Sequence, residues 1–408
     1  MTRVMLLAPA ITLLSLSVVA WRSSQTTSQG DAPQTPVTIP FELVTRHIMI
    51  PVRINNSRPL SFVLDTGDKY GVVDTARAKE LGLNLQGQIK VGGAGSETID
   101  GSFVQGANWM LPGFDGFSQP VVLAIPLDKL AARFGHDFDG IIGTDFIKQF
   151  VIEVDYQASV IRIHNRHTFS YAGQGESIPM ELDRQGHPLI EAEVTPLGGQ
   201  PIKNKFVFDI GAGGALALHS PFVSQHNLLR PDLKTIRAIG SGGAGGKTNG
   251  RVGRVAELKI GRFKIAAPLT LFSEDKSGAF AGTTLAGNIG QQVASKFKLF
   301  FDYDHGRIIL EPAASFSQPF DRAFGGIAIS AESQNYTRFR IIEVLENSPA
   351  SEAGLHENDL ILSVNDKPAA QLTLTRLGEM FEHAVAYKLT IRRGDQTLKV
   401  TFKPRRLV

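Results

Sequence analysis

The hydrophobic pattern contains two short apolar runs that end abruptly at an aspartate. Phe62-Val63-Leu64 leads into Asp65-Thr66-Gly67, and Phe206-Val207-Phe208 leads into Asp209-Ile210-Gly211. Uninterrupted apolar runs of this length are typical of buried strands. Because glycine permits a tight turn, each strand is predicted to end in an Asp-x-Gly loop that presents its carboxylate.

These two motifs belong to an internal repeat. Asp65 and Asp209 lie 144 positions apart, and three further pairs of landmarks lie 147 positions apart. The sequence therefore predicts two copies of one β-rich lobe. The matched Asp155 and Asp302 are interpreted as turn residues. The three further pairs are Gly140 with Gly287, Gly143 with Gly290, and Asp155 with Asp302.

Each copy also has a glycine-rich stretch, VGGAGSETIDG at 91–101 and GSGGAGGKTNG at 240–250. The second contains Gly246-Lys247-Thr248, as a phosphate-binding loop does. We reject that reading because Ser241 stands where the motif requires glycine, and the glycines after Thr248 oppose the helix that should follow. Both stretches are interpreted as flexible hairpins that can approach a ligand closely.

Two aspartates in matched loops can meet at an interface between the lobes. Two carboxyl groups within about 3 Å cannot both ionise, so they share one proton. The ionised member can take a proton from water while the protonated member gives one to a carbonyl oxygen. A single Asp-Thr-Gly is more often only a turn, and the matched second copy is what favours a site for peptide-bond hydrolysis.

Asp65-Thr66-Gly67, Ile141-Ile142-Gly143 and their second-lobe counterparts resemble the retropepsin-like aspartic proteases, in particular the bacterial two-lobed members, over about residues 38–315. The resemblance implies a mainly β fold, a cleft between two homologous lobes, and an extended or unfolded polypeptide as substrate. It gives catalysis to Asp65 and Asp209, and to the Thr66 hydroxyl the bracing of the loop. It implies as supporting loop residues Thr66, Gly67, Asp68, Gly211 and Ala212, and as hairpin flap candidates Gly92, Gly93, Gly95, Gly242, Gly243 and Gly245.

Three residues depart from the family pattern. Ile210 has no hydroxyl to brace its loop, and Asp68 adds a carboxylate that should raise the proton affinity of the pair. Asn288 occupies the position of Ile141 in the first copy. None of these departures removes a catalytic carboxylate. They leave open a second hypothesis, a non-catalytic peptide-binding or scaffold protein that retains the protease fold.

From about residue 320 the pattern changes. The segment VLENSPASEAGLHENDLILSVNDKPA at 344–369 is followed by an amphipathic helical pattern at 373–385 and a hairpin pattern around Gly394. This arrangement resembles a PDZ domain, which implies binding of a peptide C-terminus as an added strand. The resemblance gives the carboxylate-binding amides to Phe324, Gly325, Gly326 and Ile327. A rigid spacer that packs on the lobes is the alternative.

Composition excludes several kinds of functional site and binding partner. The 408 residues suffice for several domains, and 42% hydrophobic with 20% charged residues is typical of a globular protein. The absence of cysteine excludes disulfides, thiolate metal sites and a cysteine nucleophile. The ten histidines are scattered, so no metal and no cofactor is predicted. The net charge is only +3 and no dense basic run occurs, so nucleic acid is not a predicted partner.

The N-terminus carries an uncharged apolar run at 4–20, between Arg3 and a polar stretch. This layout predicts a signal peptide or an N-terminal membrane anchor at 1–26, and hence an exported protein that is periplasmic, anchored facing the periplasm, or secreted. A linker at 27–37 then precedes the lobes at 38–168 and 169–315 and the PDZ domain at 320–408. One chain supplies both lobes, so a monomer suffices for the site.

Overall fold

The structure, a computed structural model, describes residues 33, 35–117, 121–320, 324–332 and 335–408. The predicted signal peptide or anchor lies outside the described residues, as do residues 27–32 and 34 of the predicted linker. Within the described part of the chain, the helices are all too short or too polar to cross a membrane.

Strands dominate all three parts of the described chain, which confirms the predicted mainly β fold. The first lobe (37–164) contains β1 Val37–Pro40, β2 Glu42–Val44, β3 His47–Ile54, β4 Leu60–Leu64, β5 Gly71–Asp74, α1 Thr75–Glu80, β6 Asn84–Val91, β7 Ile99–Gln105, β8 Trp109–Leu111, β9 Phe114–Phe117, β10 Val122–Ile125, α2 Asp128–Phe134, β11 Gly140–Ile142, α3 Thr144–Ile147, β12 Val151–Asp155 and β13 Val160–His164.

The second lobe (176–312) contains β14 Glu176–Leu182, β15 Pro188–Thr195, β16 Ile202–Phe208, β17 Leu216–Leu218, α4 Ser220–Gln225, β18 Ile236–Arg237, β19 Gly242–Gly243, β20 Gly246–Lys247, β21 Gly250–Arg254, β22 Glu257–Ile260, β23 Phe263–Ala266, β24 Leu269–Ser273, a 3₁₀ turn Ala279–Ala281, β25 Gly287–Ile289, α5 Gln291–Ala294, β26 Phe297–Asp302 and β27 Arg307–Pro312.

The C-terminal domain (324–408) contains β28 Ile327–Glu332, β29 Arg338–Val344, α6 Pro349–Glu352, β30 Leu360–Val364, β31 Lys367–Pro368, a 3₁₀ turn Ala369–Gln371, α7 Leu374–Phe381, β32 Tyr387–Arg393 and β33 Gln396–Phe402.

Strand pairing repeats between the lobes. In the first lobe β4 pairs in parallel with β11, β11 antiparallel with β5, β5 in parallel with β10, and β10 antiparallel with β7. In the second lobe β16, β25, β17, β24 and β21 pair in the same order and orientations. The internal repeat in the sequence is therefore also a repeat in the structure.

The lobes are joined through one continuous sheet. Strand β12 of the first lobe pairs antiparallel with β26 of the second, in the register Val151 with Asp302. The two strands come from equivalent positions of the repeat, and the fully buried Ile152 and Phe301 pair across this junction. Both side chains belong to one apolar core that extends through both lobes. Since the junction is buried, it fixes how the two Asp-x-Gly loops face each other.

The C-terminal domain has its own apolar core around Phe339, Leu377 and Phe402. Its amphipathic helix is shorter than the predicted 373–385, because α7 ends at Phe381. The side chain of Thr373 caps the N-terminus by accepting from the Arg376 N–H. At the other end the Tyr387 hydroxyl donates to the carbonyl of Met380, and the chain turns there toward β32.

Candidate active site

The two Asp-x-Gly loops leave their lobes in the same way. After β4, the backbone N–H of Asp65 donates to the carbonyl of Ile142 in β11 at 2.9 Å. After β16, the backbone N–H of Asp209 donates to the carbonyl of Ile289 in β25, also at 2.9 Å. Each carboxylate therefore stands at the carboxyl end of a buried strand, where the last hydrogen bond fixes the start of the loop.

Glycine allows the two loops to meet. A Cβ added to Gly67 would lie 2.7 Å from the carboxyl atoms of Asp209, and one added to Gly211 would collide with the carboxyl of Asp65. Larger residues would push the carboxyl groups apart. Each loop glycine thus lies against the carboxyl group of the opposite loop, and the charge of Asp209 acts on the pKa of Asp65. The structure thus brings together the two aspartates that the repeat predicts to be partners.

The two carboxyl groups have unequal hydrogen bonds. Asp65 Oδ1 accepts from the N–H of Gly67 at 2.7 Å. Asp209 Oδ1 accepts from two backbone N–H groups of its own loop, at 3.0 and 2.9 Å, and its Oδ2 accepts from Asn288 Nδ2 at 2.8 Å. Donors aimed at a carboxylate stabilise its ionised form. This arrangement favours a charge on Asp209 and the shared proton on Asp65.

The electrostatics agree with that assignment. Burial, the charge of Asp209 and the charge of Asp68 hold the pKa of Asp65 well above its usual range. Burial also raises the pKa of Asp209, but its hydrogen bonds, first of all that from Asn288, oppose the rise. Burial and the Asp209 charge raise the pKa of Asp68 to about 6, against an opposing effect of His187. Asp68 is therefore a third acidic group coupled to the pair.

The sequence marks Asn288 only as a departure from the first copy, and no pattern in it predicts the partner of this side chain. Its Nδ2 faces a carboxylate oxygen, so its Oδ1 faces His219 Nε2 at 3.0 Å. Burial lowers the pKa of His219, and the neutral ring donates from Nε2 to that oxygen. His219 thereby holds the Asn288 amide in the orientation that donates to Asp209. The available signal was a polar residue at a position where the repeat has isoleucine.

The Thr66 hydroxyl of the first lobe hydrogen-bonds to the backbone of the second loop, and the second loop offers no matching hydroxyl in return. The buried Oγ1 of Thr66 donates to the carbonyl of Phe208 at 2.7 Å and accepts from the N–H of Ile210 at 3.0 Å. Ile210 is also buried, but its side chain contributes only apolar packing. The bracing is one-sided, as the missing hydroxyl at 210 indicates.

The two glycine-rich hairpins contact each other at their tips. The N–H of Glu97 donates to the carbonyl of Gly245 at 2.8 Å, and that of Gly243 donates to the carbonyl of Ala94 at 3.2 Å. A Cβ on Gly95 would collide with the backbone of Gly245. The lobes therefore meet at the flap candidates as well as at the aspartate loops. Of the six candidates, Gly92 and Gly93 lie in the β6–β7 connection with Gly95, and Gly242 lies in β19 with Gly243.

The proposed carboxylate-binding loop of the C-terminal domain precedes β28. The N–H of Phe324 donates to the carbonyl of Arg405 at 2.8 Å, so that amide is not directed at a ligand. The carbonyls of Gly325 and Gly326 accept from Ala350 at 3.0 Å and Leu345 at 2.7 Å, and Gly326 has a left-handed φ of 74°. Ile327 is the first residue of β28. The carboxylate-binding role of Gly325, Gly326 and Ile327 therefore stays a prediction.

The part of the chain that the structure describes contains no group of three or more His, Cys, Asp or Glu side chains that could hold a metal ion.

Family comparisons agree with this geometry. Residues 50–146 match the family described as "Aspartyl protease", and residues 315–392 match "PDZ domain". The matches place a retropepsin-like aspartyl protease domain in the first lobe and a PDZ domain at the C-terminus. The family match covers the Asp65 loop, and the strand-pairing repeat extends the same architecture to the second lobe.

Two individual proteins are similar to this chain, one in sequence and one in structure. "Serine protease HTRA1" from Xenopus laevis is 30% identical over 74 residues, which are 18% of this chain and 16% of that protein. The chain thus matches less than a fifth of that relative's length. The solved "aspartic proteinase from Irpex lacteus" aligns with a TM-score of 0.45 and 11% identity, over 70% of this chain and 99% of that one.

Proposed function

We propose that the protein is an aspartic endopeptidase that cleaves extended or unfolded polypeptides between its two lobes. The observation that carries this proposal is the close approach of the Asp65 and Asp209 loops, in which Gly67 lies against the Asp209 carboxyl and Gly211 against that of Asp65. A pair of carboxyl groups that shares one proton has both the base and the acid that peptide hydrolysis requires.

In the proposed mechanism a water molecule lies between the two carboxyl groups. Asp209, ionised and held by Asn288, takes a proton from the water as its oxygen bonds to the peptide carbonyl carbon. Asp65, whose pKa is raised, gives its proton to the carbonyl oxygen. The proton on Asp209 then passes to the departing nitrogen as the C–N bond breaks, and Asp65 recovers its proton from the diol.

Flap separation is part of this proposal. Because the tips are hydrogen-bonded to each other through Glu97 and Gly245, the cleft is bounded by the aspartate loops and by the hairpins. An extended chain must be threaded between them, or the tips must part. Either route favours a flexible substrate over a folded one.

Asp65→Asn and Asp209→Asn test the mechanism, with Asp304→Asn as a matched control in an exposed turn. An unfolded, fluorescently labelled casein is the substrate, over pH 3–8. We expect each dyad variant to lose at least about 1,000-fold in kcat/KM, while Asp304→Asn keeps wild-type cleavage. Cleavage by the folded Asp65→Asn variant at the wild-type rate would refute an aspartic mechanism.

A non-catalytic peptide-binding or scaffold protein is the second candidate function. It is favoured by Asp68, a further acidic group coupled to the pair, and by the hydrogen-bonded flap tips. It predicts that folded wild-type protein binds an unfolded polypeptide without cleaving it at any pH from 3 to 8. It also predicts that Asp65→Asn leaves this binding unchanged.

Export is a further part of the proposal and rests on the apolar run at 4–20. A fusion of residues 1–37 to alkaline phosphatase, which is active only after export, tests it. An Arg-substituted run serves as the control. Equal activity of the two fusions would contradict export by this segment.

A further inference from the structure

In the PDZ domain, strand β28 lies next to helix α7, and we call the surface between them the PDZ groove. Strand β28 pairs with β29 along one edge and ends the sheet, so its other edge has no strand partner among the described residues. A PDZ domain binds a peptide by adding it to such an edge. Whatever lies along this edge therefore decides whether a peptide can enter.

Helix α2 of the first lobe lies at this groove. It packs against β28, and the Ser330 hydroxyl donates to the carbonyl of Ala132 at 3.3 Å. The helix ends at Gly135 in a left-handed conformation, with φ of 61°. A Cβ there would lie 2.5 Å from the Cβ of Leu374 on α7 and 3.3 Å from the Cβ of Ala331 on β28. Gly135 thus sits between the two walls, and a peptide extended along β28 would meet it.

The second lobe holds the same domain close to a flap candidate. The N–H of Gly240 donates to Glu343 Oε2 at 3.3 Å, and Arg237 forms an ion pair with the same carboxylate. A Cβ on Gly240 would lie 2.9 Å from the Cβ of Ala328 in β28. Because Gly240 is two residues before the hairpin that starts at Gly242, the PDZ domain anchors the base of the second flap.

A third contact lies beside the Asp209 loop. The N–H of Thr45 donates to Thr375 Oγ1 at 3.1 Å, and Arg46 forms an ion pair with Glu382. The next residue, His47, packs its ring on Phe134 of α2 with 4.4 Å between centroids. A Cβ on Gly213 would lie 3.0 Å from His47 Cε1. The turn that holds the PDZ domain is therefore in contact with the segment that follows Asp209.

We propose that the protease lobes and a peptide C-terminus compete for the PDZ groove. In the docked arrangement, the end of α2 at Gly135 lies in the groove between Ala331 and Leu374. The PDZ domain also holds the base of the second flap. A bound peptide displaces α2, releases Gly240 and Arg237, and frees the flap to open. Peptide binding is thereby coupled to hydrolysis, an inference that rests on the proposed peptide binding and proteolysis.

Binding to the full chain gives the first test, with a fluorescein-labelled decapeptide that ends in valine and its C-terminal amide as control. Glu343→Arg places two cations together and should undock the domain, so we expect at least about fivefold tighter binding of the free-carboxylate peptide. The charge swap Arg237→Glu/Glu343→Arg restores the pair and should return the wild-type affinity. Equal affinity of wild type and Glu343→Arg would overturn the proposal.

A disulfide lock tests the same point without relying on that ion pair. The chain has no cysteine, so Gly240→Cys/Ala328→Cys contains one pair, across the interface. We expect the oxidised protein to bind the peptide at least about tenfold more weakly than the reduced protein. The single Gly240→Cys variant controls for the left-handed φ of 62° at that position. Equal binding by oxidised and reduced protein would contradict competition.

Hydrolysis of the labelled casein separates this inference from the proposed function. Peptide should accelerate cleavage by wild type, and Glu343→Arg should cleave faster without peptide and respond less to it. If neither the peptide nor Glu343→Arg changes the rate of casein cleavage, the coupling is overturned. If no form cleaves casein, the proteolytic function and the coupling both fail. The binding measurements still decide whether α2 and the peptide compete for the groove. If no form binds the peptide, competition fails while proteolysis stands.

Discussion

The two aspartate loops have the same strand setting and opposite chemistry. The first, Asp65-Thr66-Gly67-Asp68, supplies the bracing hydroxyl and an additional carboxylate. The second, Asp209-Ile210-Gly211-Ala212, supplies neither, but it receives the amide of Asn288. A symmetric pair would leave the shared proton undecided. Here one loop raises the pKa of its aspartate and the other stabilises a charge, and on this asymmetry the proposed mechanism gives the acid role to Asp65 and the base role to Asp209.

Replacing the bracing hydroxyl should have the largest effect. Thr66→Val leaves the carbonyl of Phe208 and the N–H of Ile210 without their partner in a buried site. We expect a loss of about 2–4 kcal/mol in the free energy of unfolding, measured by urea denaturation, and a fall in kcat of about 100-fold as the loops shift.

Matched variants show whether the hydroxyl or the packing matters. Thr66→Ser keeps the hydroxyl and should stay within about 1 kcal/mol of wild type. Ile210→Thr offers the missing hydroxyl to the second loop and should not rescue Thr66→Val, because the two backbone groups that lost their partner lie on the second lobe. Equal stability of Thr66→Val and Thr66→Ser would show that the bracing has no energetic role.

Removing the amide donor should make the two carboxyl groups more alike. Asn288→Ile installs the residue of the first copy and deletes the hydrogen bond to Asp209. A hydrogen bond to a charged group contributes about 1.5–3 kcal/mol, so we expect the acidic limb of the kcat/KM profile to move up by about 1–2 pH units.

His219→Phe sharpens that result. It keeps Asn288 but removes the ring that orients the amide, so a smaller shift in the same direction is expected. An acidic limb that stays at the wild-type pH in both variants would contradict the assignment of the charge to Asp209.

Much of this asymmetry could be predicted from the sequence. The apolar runs before Asp65 and Asp209 predicted both strands, and the repeat of landmarks at offsets of 144 and 147 positions predicted that the two aspartates are partners. Ile210 and Asp68 were recognisable as departures because a motif fixes what each position should hold. The role of Asn288 was not predictable, since its partner His219 is 69 positions away and no pattern relates the two.

The contact between the PDZ domain and the lobes was even harder to predict from the sequence. It depends on small residues such as Ala132, Gly135 and Ala328, which are common in many settings. Their importance comes from how closely two backbones approach, and that distance is set by the whole fold. The helix predicted at 373–385 was too long for a similar reason, because Val385 continues the apolar pattern but is 52% exposed.

The smallest expected effect concerns Asp68, the counterpart of Ala212. Its pKa is raised from 3.8 to about 6, so the folded protein favours its protonated form. That contribution to stability is present below the ordinary pKa and is lost as the pH rises through about 6. Asn cannot ionise, so Asp68→Asn should prevent this loss of stability at high pH. Because Asp68 is partly exposed, we expect a gain of only about 1–2 kcal/mol at pH 7.5 and none at pH 4.

The same variant should move the basic limb of the activity profile to lower pH. The Asp68 charge is one of the causes that raise the pKa of Asp65, and its removal should let Asp65 lose its proton about 0.5–1 pH unit earlier. Asp68→Glu keeps the charge and should leave the limb in place. A basic limb that is unchanged in Asp68→Asn, with the stability gain present, would mean that Asp68 affects folding without acting on the pair. The difference between the loops would then lie in their hydrogen bonds alone.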